Sequence, residues 1–499
     1  MSTRIDARLW AADERTTVIG GEWQGGDGDQ IEVAEKATGE PLLIMREASL
    51  EQLDRAVAAA KAAQPGWAAR PADVRAGVLR RAADLLEQHH DEVVEWIVRE
   101  SGSVPAKAHA AEYLQALDEF REAADLAERT VARPLPPHGE DASVAERVPY
   151  GVVGVITPWN VPFTLAMRTV APALALGNAI VLKPDHQTPV SGAVLIGRLL
   201  EEAGLPAGVF NAVPGQGPSV GSALVTHPDV SMVSFTGSTA VGRTIATLAA
   251  PYLKKVALEL GGKNPHVVLD DADIEGAAAA GAWGNFTHQG QVCMAIGRHV
   301  IAAPVLEDYA AELARWARGL RVGDPFREDV ELGPLINARQ ADRVMALIED
   351  AVAQGAELLA GGERRGNFVQ PTVLKGVTPA MRAYAEEVFG PVAVVVAAAD
   401  DEDAVRIAND TEYGLSASVH SASPERAEAV ADRIVSGMVH INGQTINDNA
   451  WAPMGGTKAS GSGGRFGGES NADMFTYTRW RTVRKDADRG HFVARPAVP

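Results

Sequence analysis

The fold is decided by a stretch that begins Val152-Val153-Gly154-Val155-Ile156, an apolar run followed by an amphipathic segment and another apolar run. This alternation continues through apolar runs at residues 179–182, 209–213, 232–235 and 256–260. Strands separated by helices form mostly parallel sheets, since the crossover helices cover both faces of the sheet. The stretch therefore predicts a doubly wound α/β domain that binds ligands at the carboxyl ends of its strands.

The segments on either side of this stretch predict further domains. After Asp273, helices near 274–286, 338–354 and 424–436 and strands near 392–398 and 438–442 predict a second α/β domain. Before it, residues 17–47 predict short strands, and helices are predicted from there to about residue 130. A capping box of Ser49 and Gln52 predicts the start of the first helix. The second helix is predicted to run to about Arg99, with His89 and His90 on a solvated face. The β-rich tail at 475–483 predicts a strand that pairs with another.

Composition limits the possible partners. The 499 residues carry 46 basic and 65 acidic side chains, and the net charge of −19 disfavours binding to nucleic acids or anionic membranes. Residues 1–12 lack an apolar signal segment, and no stretch approaches the roughly 18 apolar residues of a membrane span. A cytoplasmic protein is therefore expected. No metal is expected either, because His288, Cys293 and His299 match no common zinc spacing.

The only cysteine, Cys293, lies in a second informative stretch, Asn-Phe-Thr-His-Gln-Gly-Gln-Val-Cys-Met-Ala-Ile-Gly-Arg at residues 285–298. Gly290 and Gly297 flank it, which predicts a loop or strand end presenting one side chain. A thiol in that position is a candidate nucleophile, and a cysteine hydrolase with His288 as its base is one interpretation. Glu259, at the end of an apolar strand, is a candidate general base because burial raises a carboxyl pKa.

The residues after the fourth apolar run, Thr236-Gly237-Ser238 and Gly242, open a helix whose free amides can hold a phosphate. The spacing approaches a P-loop, but Arg243 replaces the expected lysine, which disfavours nucleotide hydrolysis. A Gly-x-Gly-x-x-Gly fingerprint is absent after the first run, where residues 154–160 stand instead, and this disfavours an ordinary Rossmann dehydrogenase.

Six motifs occur in one order along the chain: Pro158-Trp159-Asn160, Leu182-Lys183-Pro184, Phe235-Thr236-Gly237-Ser238, Leu258-Glu259-Leu260-Gly261-Gly262, Gly290-Gln291-Val292-Cys293 and Glu387-Val388-Phe389-Gly390-Pro391. Together they resemble the aldehyde dehydrogenase superfamily over nearly the whole chain. Residues 171–178, 294–295 and 464–468 look most like bacterial benzaldehyde and vanillin dehydrogenases.

The resemblance implies an α/β protein of three parts. These are a Rossmann-like doubly wound cofactor domain at 1–127 and 150–259, a second α/β catalytic domain at 260–473, and a small β oligomerisation arm at 128–149 and 474–499. It also implies a homodimer or homotetramer.

The resemblance assigns roles to individual residues. Cys293 is implied as the nucleophile, Asn160 with the Cys293 amide as the oxyanion hole, and Glu259 as the base. The implied cofactor-binding residues are Ile156, Pro158, Trp159, Lys183, His186, Thr236, Gly237, Ser238, Gly242, Glu387 and Phe389. Residues placed in a substrate pocket by motif position are Val161, Leu165, Ile446, Trp451 and Met454.

These roles imply NAD(P)-dependent oxidation of a small-molecule aldehyde, of benzaldehyde or vanillin type, to the carboxylic acid through a cysteine thiohemiacetal and thioester. Aliphatic or semialdehyde oxidation is an alternative within the family, and a non-catalytic binding protein is one outside it. NAD or NADP is expected as the cofactor, NAD from the resemblance to the aromatic subgroup and NADP because His186 replaces a glutamate that commonly repels its 2′-phosphate in NAD-dependent members. Alternatively, Asp185 supplies that repulsion while His186 points to solvent.

Overall fold

The structure is a computed structural model that describes residue 9 and residues 14–130, 132–138 and 141–484. The expectations for the remaining positions of the N-terminal twelve residues and for the tail beyond residue 484 lie outside the described residues.

The N-terminal part consists of short strands followed by a helical layer. As predicted, the first helix is opened by reciprocal hydrogen bonds between Ser49 and Gln52. The predicted helix to about Arg99 is instead two helices, because His89 leaves the helical conformation at φ −104° and ψ 21°. The elements are β1 Thr17–Ile19, β2 Glu22–Gln24, β3 Gln30–Ala34, β4 Pro41–Arg46, α1 Leu50–Ala68, α2 Ala72–Gln88, α3 His90–Ser101, α4 Pro105–Lys107, the π-helical turn Ala108–Tyr113, and α5 Leu114–Arg129.

His89 and His90 do not form a solvated face, which corrects the prediction. Both are partly buried, His89 between α2 and α3 with its Nδ1 3.6 Å from Oε2 of Glu92, and His90 against the π-helical turn. The His90 ring meets the Tyr113 ring edge-on at 4.5 Å between centroids, and its Nε2 lies 2.9 Å from Nδ1 of His109. Contacts from a later helical turn, rather than helical periodicity, decide the partial burial of His90.

Two strands, β5 Arg133–His138 and β6 Asp141–Pro149, lead into the first large sheet. That sheet has seven strands in the order β11-β10-β7-β8-β9-β1-β2, and the first five are parallel. The alternation predicted from residue 152 onward is therefore confirmed. Its elements are β7 Val152–Ile156, α6 Pro162–Ala175, β8 Ala179–Lys183, α7 Leu195–Glu202, β9 Phe210–Ala212, α8 Ser222–Thr226, β10 Met232–Thr236, α9 Thr239–Ala249 and β11 Lys255–Glu259.

A second seven-stranded sheet has the order β14-β17-β18-β13-β12-β19-β20 and is parallel except at β14. The predicted second block is confirmed, although its helix near 424–436 ends at Ala431. The elements are β12 Asn264–Val268, α10 Ile274–Phe286, β13 Ile296–Ala302, α11 Leu306–Gly319, α12 Ala338–Ala353, β14 Glu357–Ala360, β15 Arg364–Arg365, β16 Phe368–Val369, β17 Thr372–Lys375, α13 Arg382–Ala385, β18 Val392–Ala398, α14 Asp401–Asn409, β19 Ser416–His420, α15 Pro424–Ala431, β20 Met438–Ile441, α16 Ser470–Phe475 and β21 Thr476–Val483.

The strand β21 forms a small separate sheet with the two strands of the predicted arm, in the order β21-β6-β5. It pairs antiparallel with β6 from Thr476 opposite Pro149 to Val483 opposite Ala142, so the prediction that the tail strand pairs is confirmed. Trp480 on β21 is 67% exposed. Among the described residues, no helix combines the length and apolar character needed to cross a membrane.

Candidate active site

The carboxyl ends of the first sheet place predicted site residues along one edge. Ile156 ends β7 opposite both Lys183 and Phe235, and Thr236 ends β10 opposite Glu259. Parallel strands in register must end at the same edge, so a residue from each of four strands meets there. The loop after β7 then carries Asn160 towards α6.

Asn160 is almost fully buried, and its side chain is fixed to the segment that carries the cysteine. Its Nδ2 donates to the Gln291 carbonyl at 2.7 Å, two residues before Cys293. Two residues predicted from separate motifs are therefore brought together, although 131 positions separate the hydrogen-bonded pair.

The segment around Cys293 is an irregular turn between α10 and β13, as the flanking glycines predict. Gly290 has φ +69°, and a Cβ added there would lie 2.2 Å from the Gly390 carbonyl oxygen. Only glycine allows this close backbone approach. On the other side, Nδ2 of Asn264 donates to the carbonyls of Cys293 at 2.9 Å and Ala295 at 2.7 Å. The turn is thus held by Asn160 from the loop after β7 and by Asn264 from β12, while the thiol stays partly accessible.

The charges around Cys293 determine how easily it ionises. Burial raises the pKa of the thiol to about 12, and the Glu387 carboxylate adds to that rise. Arg168 lowers the pKa, whereas Glu259 and Asp448 raise it. A thiolate is the reactive form, so in this state of the protein the nucleophile is held almost entirely as the thiol.

Glu259 has the environment expected of a general base. Burial raises its pKa well above the usual carboxyl value, and the nearby charges of Arg168 and Arg465 oppose that rise. Within the described residues, its Oε2 has no hydrogen-bond partner. A carboxylate that is poorly solvated on one oxygen accepts a proton readily.

The structure does not join His288 to Cys293, although five residues separate them in sequence. His288 is buried with a left-handed backbone at φ +51°, and burial followed by the Lys107 charge lowers its pKa well below the usual value. No hydrogen bond connects its ring to the thiol in the part of the chain that is described. A cysteine hydrolase needs the base within hydrogen-bond reach of the nucleophile, so this arrangement disfavours that interpretation.

Glu387 and Phe389 lie beside the cysteine turn, where the cofactor site is expected. Oε1 of Glu387 accepts from the Gly262 amide at 3.1 Å, and a Cβ added at Gly261 would lie 2.4 Å from its Oε2. Burial raises the pKa of Glu387 to about 7. The Phe389 ring meets the Trp159 ring edge-on at 5.5 Å. A cavity at this point is lined by Gly262, Gly290, Val292, Glu387, Val388 and Phe389.

The start of α9 presents backbone rather than bulky side chains. Ser238 caps the helix by accepting from the Val241 amide at 3.4 Å. A Cβ added at Gly237 would lie 2.5 Å from the Phe235 ring, and one at Gly242 would lie 2.5 Å from a Leu260 methyl. These glycines keep the helix start close to the strand ends, an arrangement that fits the phosphates of a dinucleotide.

His186 and Asp185 follow β8, beside Lys183. The His186 side chain is 35% exposed, and its Nδ1 lies 3.5 Å from Oδ1 of Asp185. That oxygen also accepts from the Gln187 amide at 2.9 Å. Burial lowers the pKa of Lys183, and the Asp185 carboxylate opposes that shift. The Asp185 carboxylate therefore interacts with the Gln187 amide and with the charge of Lys183.

Two of the predicted substrate-pocket residues lie with the thiol. Met454 belongs to an apolar cluster with Val292, Met294 and Leu415, and both Cys293 and Ile446 pack against it. Val161 and Leu165 lie at the start of α6, just after Asn160. Trp451 is 56% exposed, and its place in the pocket stays a prediction.

A buried ionic network that the sequence patterns did not predict lies next to the site. Arg168 on α6 forms an ion pair with Asp448, and its Nε lies 3.6 Å from Glu119. Gln115 donates to the same Asp448 carboxylate at 2.9 Å. The signal was a single arginine within the otherwise uncharged helix Pro162–Ala175, since a buried charge requires a partner.

The chain belongs to the aldehyde dehydrogenase family, whose sequence pattern it matches over residues 23–482. It is therefore an oxidoreductase with the aldehyde dehydrogenase fold, and both predictions are confirmed.

Relatives share this similarity over nearly the whole chain. It is 48% identical to a vanillin dehydrogenase of Amycolatopsis sp., covering 95% of this chain and 98% of the relative. It is 47% identical to an NAD(+) benzaldehyde dehydrogenase of Pseudomonas putida, covering 93% and 95%. Among solved structures, the NAD+ complex of a Bacillus cereus aldehyde dehydrogenase superposes with a TM-score of 0.93 at 35% identity, covering 97% of this chain and 99% of the other. The predicted resemblance to this subgroup is confirmed.

Proposed function

We propose that this enzyme oxidises an aromatic aldehyde of benzaldehyde or vanillin type to its carboxylic acid with NAD. The observation that carries the proposal is the convergence of Cys293, Asn160 and Glu259 at one end of the first sheet. Its relatives at 48% and 47% identity bear the names of aromatic aldehyde dehydrogenases, which supports the substrate class. The apolar cluster around Met454 and Cys293 also suits a flat ring, because burial of apolar surface favours binding.

The chemistry begins with the thiol. A hydride leaves an aldehyde carbon only after that carbon becomes tetrahedral, so Cys293 must first lose its thiol proton to solvent and add to the carbon as the thiolate. Asn160 uses one N–H of its amide on Gln291 and has the second to donate to the resulting alkoxide, together with the Cys293 backbone amide. Loss of one such donor typically costs about 3 to 4 kcal/mol of barrier.

A bound nicotinamide dinucleotide supplies the hydride acceptor. The chain then carries a thioester on Cys293, which water must hydrolyse. Glu259 takes the proton from that water through Oε2, which has no hydrogen-bond partner in the described part of the chain. Hydrolysis releases the carboxylic acid, and the proton held by Glu259 passes to the departing Cys293 thiolate, which returns both groups to their starting states.

The cofactor binds in this proposal at the carboxyl ends of the parallel strands of the first sheet. Lys183 holds the adenosine ribose, Ser238 and the start of α9 hold the pyrophosphate, and Glu387 with Phe389 holds the nicotinamide ribose. Ile156, Pro158, Trp159, Thr236, Gly237 and Gly242 shape the remaining walls. His186 lacks the negative charge that would repel a 2′-phosphate, so NADP is accepted as a second cofactor while NAD is preferred.

The arm is proposed to join subunits into a homodimer or homotetramer. Its strand β21 lies at an edge of the three-stranded sheet and exposes Tyr477, Trp480 and Val483. Exposed apolar side chains on an edge strand favour association with another chain.

The proposal is tested by following the absorbance of reduced nicotinamide with benzaldehyde, vanillin, hexanal and succinic semialdehyde. We expect the aromatic aldehydes to give the highest kcat/KM, and no signal if either aldehyde or cofactor is omitted. A kcat/KM for hexanal tenfold above that for benzaldehyde would contradict the aromatic assignment. Hydrolysis of a thioester or ester without any aldehyde oxidation would instead favour a hydrolase.

A further inference from the structure

Lys107 and Glu112 form an ion pair that is buried more deeply than most of the charges in the described structure. Their side chains are 5% and 0% exposed, and Lys107 Nζ donates to Oε1 of Glu112. Burying two charges costs more free energy than their attraction returns unless further hydrogen bonds satisfy the remaining atoms. The further bonds of this pair all lead to one segment of the chain.

That segment is residues 160–164, which comprises Asn160 in the loop before α6 and the first residues of that helix. Lys107 Nζ donates to the Asn160 carbonyl at 3.2 Å. The second oxygen of Glu112 accepts from the Phe163 amide at 3.1 Å. The Thr164 hydroxyl donates to the backbone carbonyls of Ala111 at 3.1 Å and Glu112 at 3.0 Å. Both ends of the segment 160–164 are therefore attached to the same turn.

The turn itself has unusual backbone geometry. Lys107 immediately precedes the π-helical turn Ala108–Tyr113, and Glu112 lies within it. Hydrogen bonds in a π-helix join residues five apart, the separation of Lys107 and Glu112, so the wider turn brings the two side chains to one side. An α-helical turn would place residues five apart on different faces.

The protonation of the pair does not change the contact with Asn160. Burial lowers the pKa of Lys107 and raises that of Glu112, and each charge opposes the shift of the other. In both the charged and the neutral form, Lys107 retains an N–H to donate to the Asn160 carbonyl. The attachment therefore persists across the working pH range.

We propose that the Lys107–Glu112 pair is a positioning device that sets the direction of the Asn160 amide. The pair fixes the Asn160 main chain from one side, while Gln291 fixes its side chain from the other. This inference rests on the proposed role of Asn160 as the oxyanion donor. Misplacing a catalytic group by about 1 Å can lower a rate by about a hundredfold, so a residue that never touches the substrate can control kcat.

The test compares Lys107→Met, Asn160→Ala and the double variant, with Arg99→Met as a matched control. Arg99 forms a largely buried ion pair with Glu35 and makes no contact with the segment 160–164 in the described structure. We expect Lys107→Met to lower kcat about 10- to 100-fold with little change in KM, and the double variant to be no slower than Asn160→Ala. Arg99→Met should keep its kcat, and alkylation of Cys293 should be unchanged in both Lys107→Met and Arg99→Met.

The outcomes separate the two proposals. If Asn160→Ala keeps its rate, the oxyanion role is wrong. If Asn160→Ala is slow but Lys107→Met is not, or if the two losses multiply in the double variant, the positioning role is wrong. Should Lys107→Met fail to fold, Lys107→Gln provides the same test, because the glutamine amide retains a donor for Glu112 while its shorter side chain withdraws the donor from the Asn160 carbonyl.

Discussion

Alkylation of Cys293 in the cofactor-free enzyme should follow a pKa far above that of an ordinary thiol. The chain has one cysteine, so the reaction with iodoacetamide reports on Cys293 alone. Burial raises the pKa of this thiol from 9.0 to about 12. At pH 8 the thiolate fraction is then about 10⁻⁴, compared with about one tenth for a thiol of pKa 9.0.

A second effect reduces this difference. The more basic thiolate is the better nucleophile, and a Brønsted coefficient of about 0.4 to 0.5 over three pKa units returns a factor of about 20. We therefore expect alkylation at pH 8 to be about 50-fold slower than that of a small thiol with a pKa of 9.0. The logarithm of the rate should rise with unit slope from about pH 7 to pH 10 without reaching a plateau.

The Glu387→Gln variant tests this explanation, because the charge of Glu387 raises the pKa of the Cys293 thiol more than any other charge does. Removing a nearby like charge lowers a pKa, so Glu387→Gln should move the alkylation profile to lower pH by about 1 to 3 units. Cys293→Ala serves as the unlabelled control. Steric access changes the absolute rate but not the position of a plateau. A plateau below pH 9 in the wild type, or a Glu387→Gln profile that superimposes on it, would refute the reasoning.

Three further predictions concern the chemistry and the cofactor. Cys293→Ala should abolish aldehyde oxidation and leave cofactor binding intact by calorimetry, because the thiol and the start of α9 are separate; retention of more than a few per cent of activity would contradict the assignment. Glu259→Gln should slow thioester hydrolysis more than acylation, so stopped-flow absorbance should show a stoichiometric burst of reduced cofactor before slow turnover, and equal slowing of both phases would exclude this role. His186→Glu should increase discrimination against NADP by about 1 to 3 kcal/mol, about 5- to 150-fold in kcat/KM, unless the wild type already rejects NADP a thousandfold.

Local patterns in the sequence predicted most of the framework. The strands from Val152 to Glu259 and the helix Ile274–Phe286 follow from apolar periodicity, and the start of α1 follows from its capping box. The break at His89 was missed because neither glycine nor proline marks it. The stretch between Gly290 and Gly297 was predicted to form a loop or strand end because glycines tolerate conformations that other residues avoid, and Gly290 does adopt one.

The network around the site could not be predicted in the same way. Arg168 meets Asp448 across 280 positions, and Lys107 meets the Asn160 carbonyl across 53. His288 is close to Cys293 in sequence, but after burial it is the charge of Lys107, from a distant part of the chain, that lowers the pKa of its ring. Separation along the chain thus carried little information about which charged groups meet.

The sequence by itself determined the α/β class, the order of the strands along the chain, the turn that carries Cys293 and the family of the enzyme. These depend on residue type and spacing, which act over a few positions. Only the tertiary structure decided the pKa of Cys293, the burial of the Glu259 carboxylate and the attachment of Asn160. These depend on burial and on charges brought together from distant parts of the chain, and both are properties of packing.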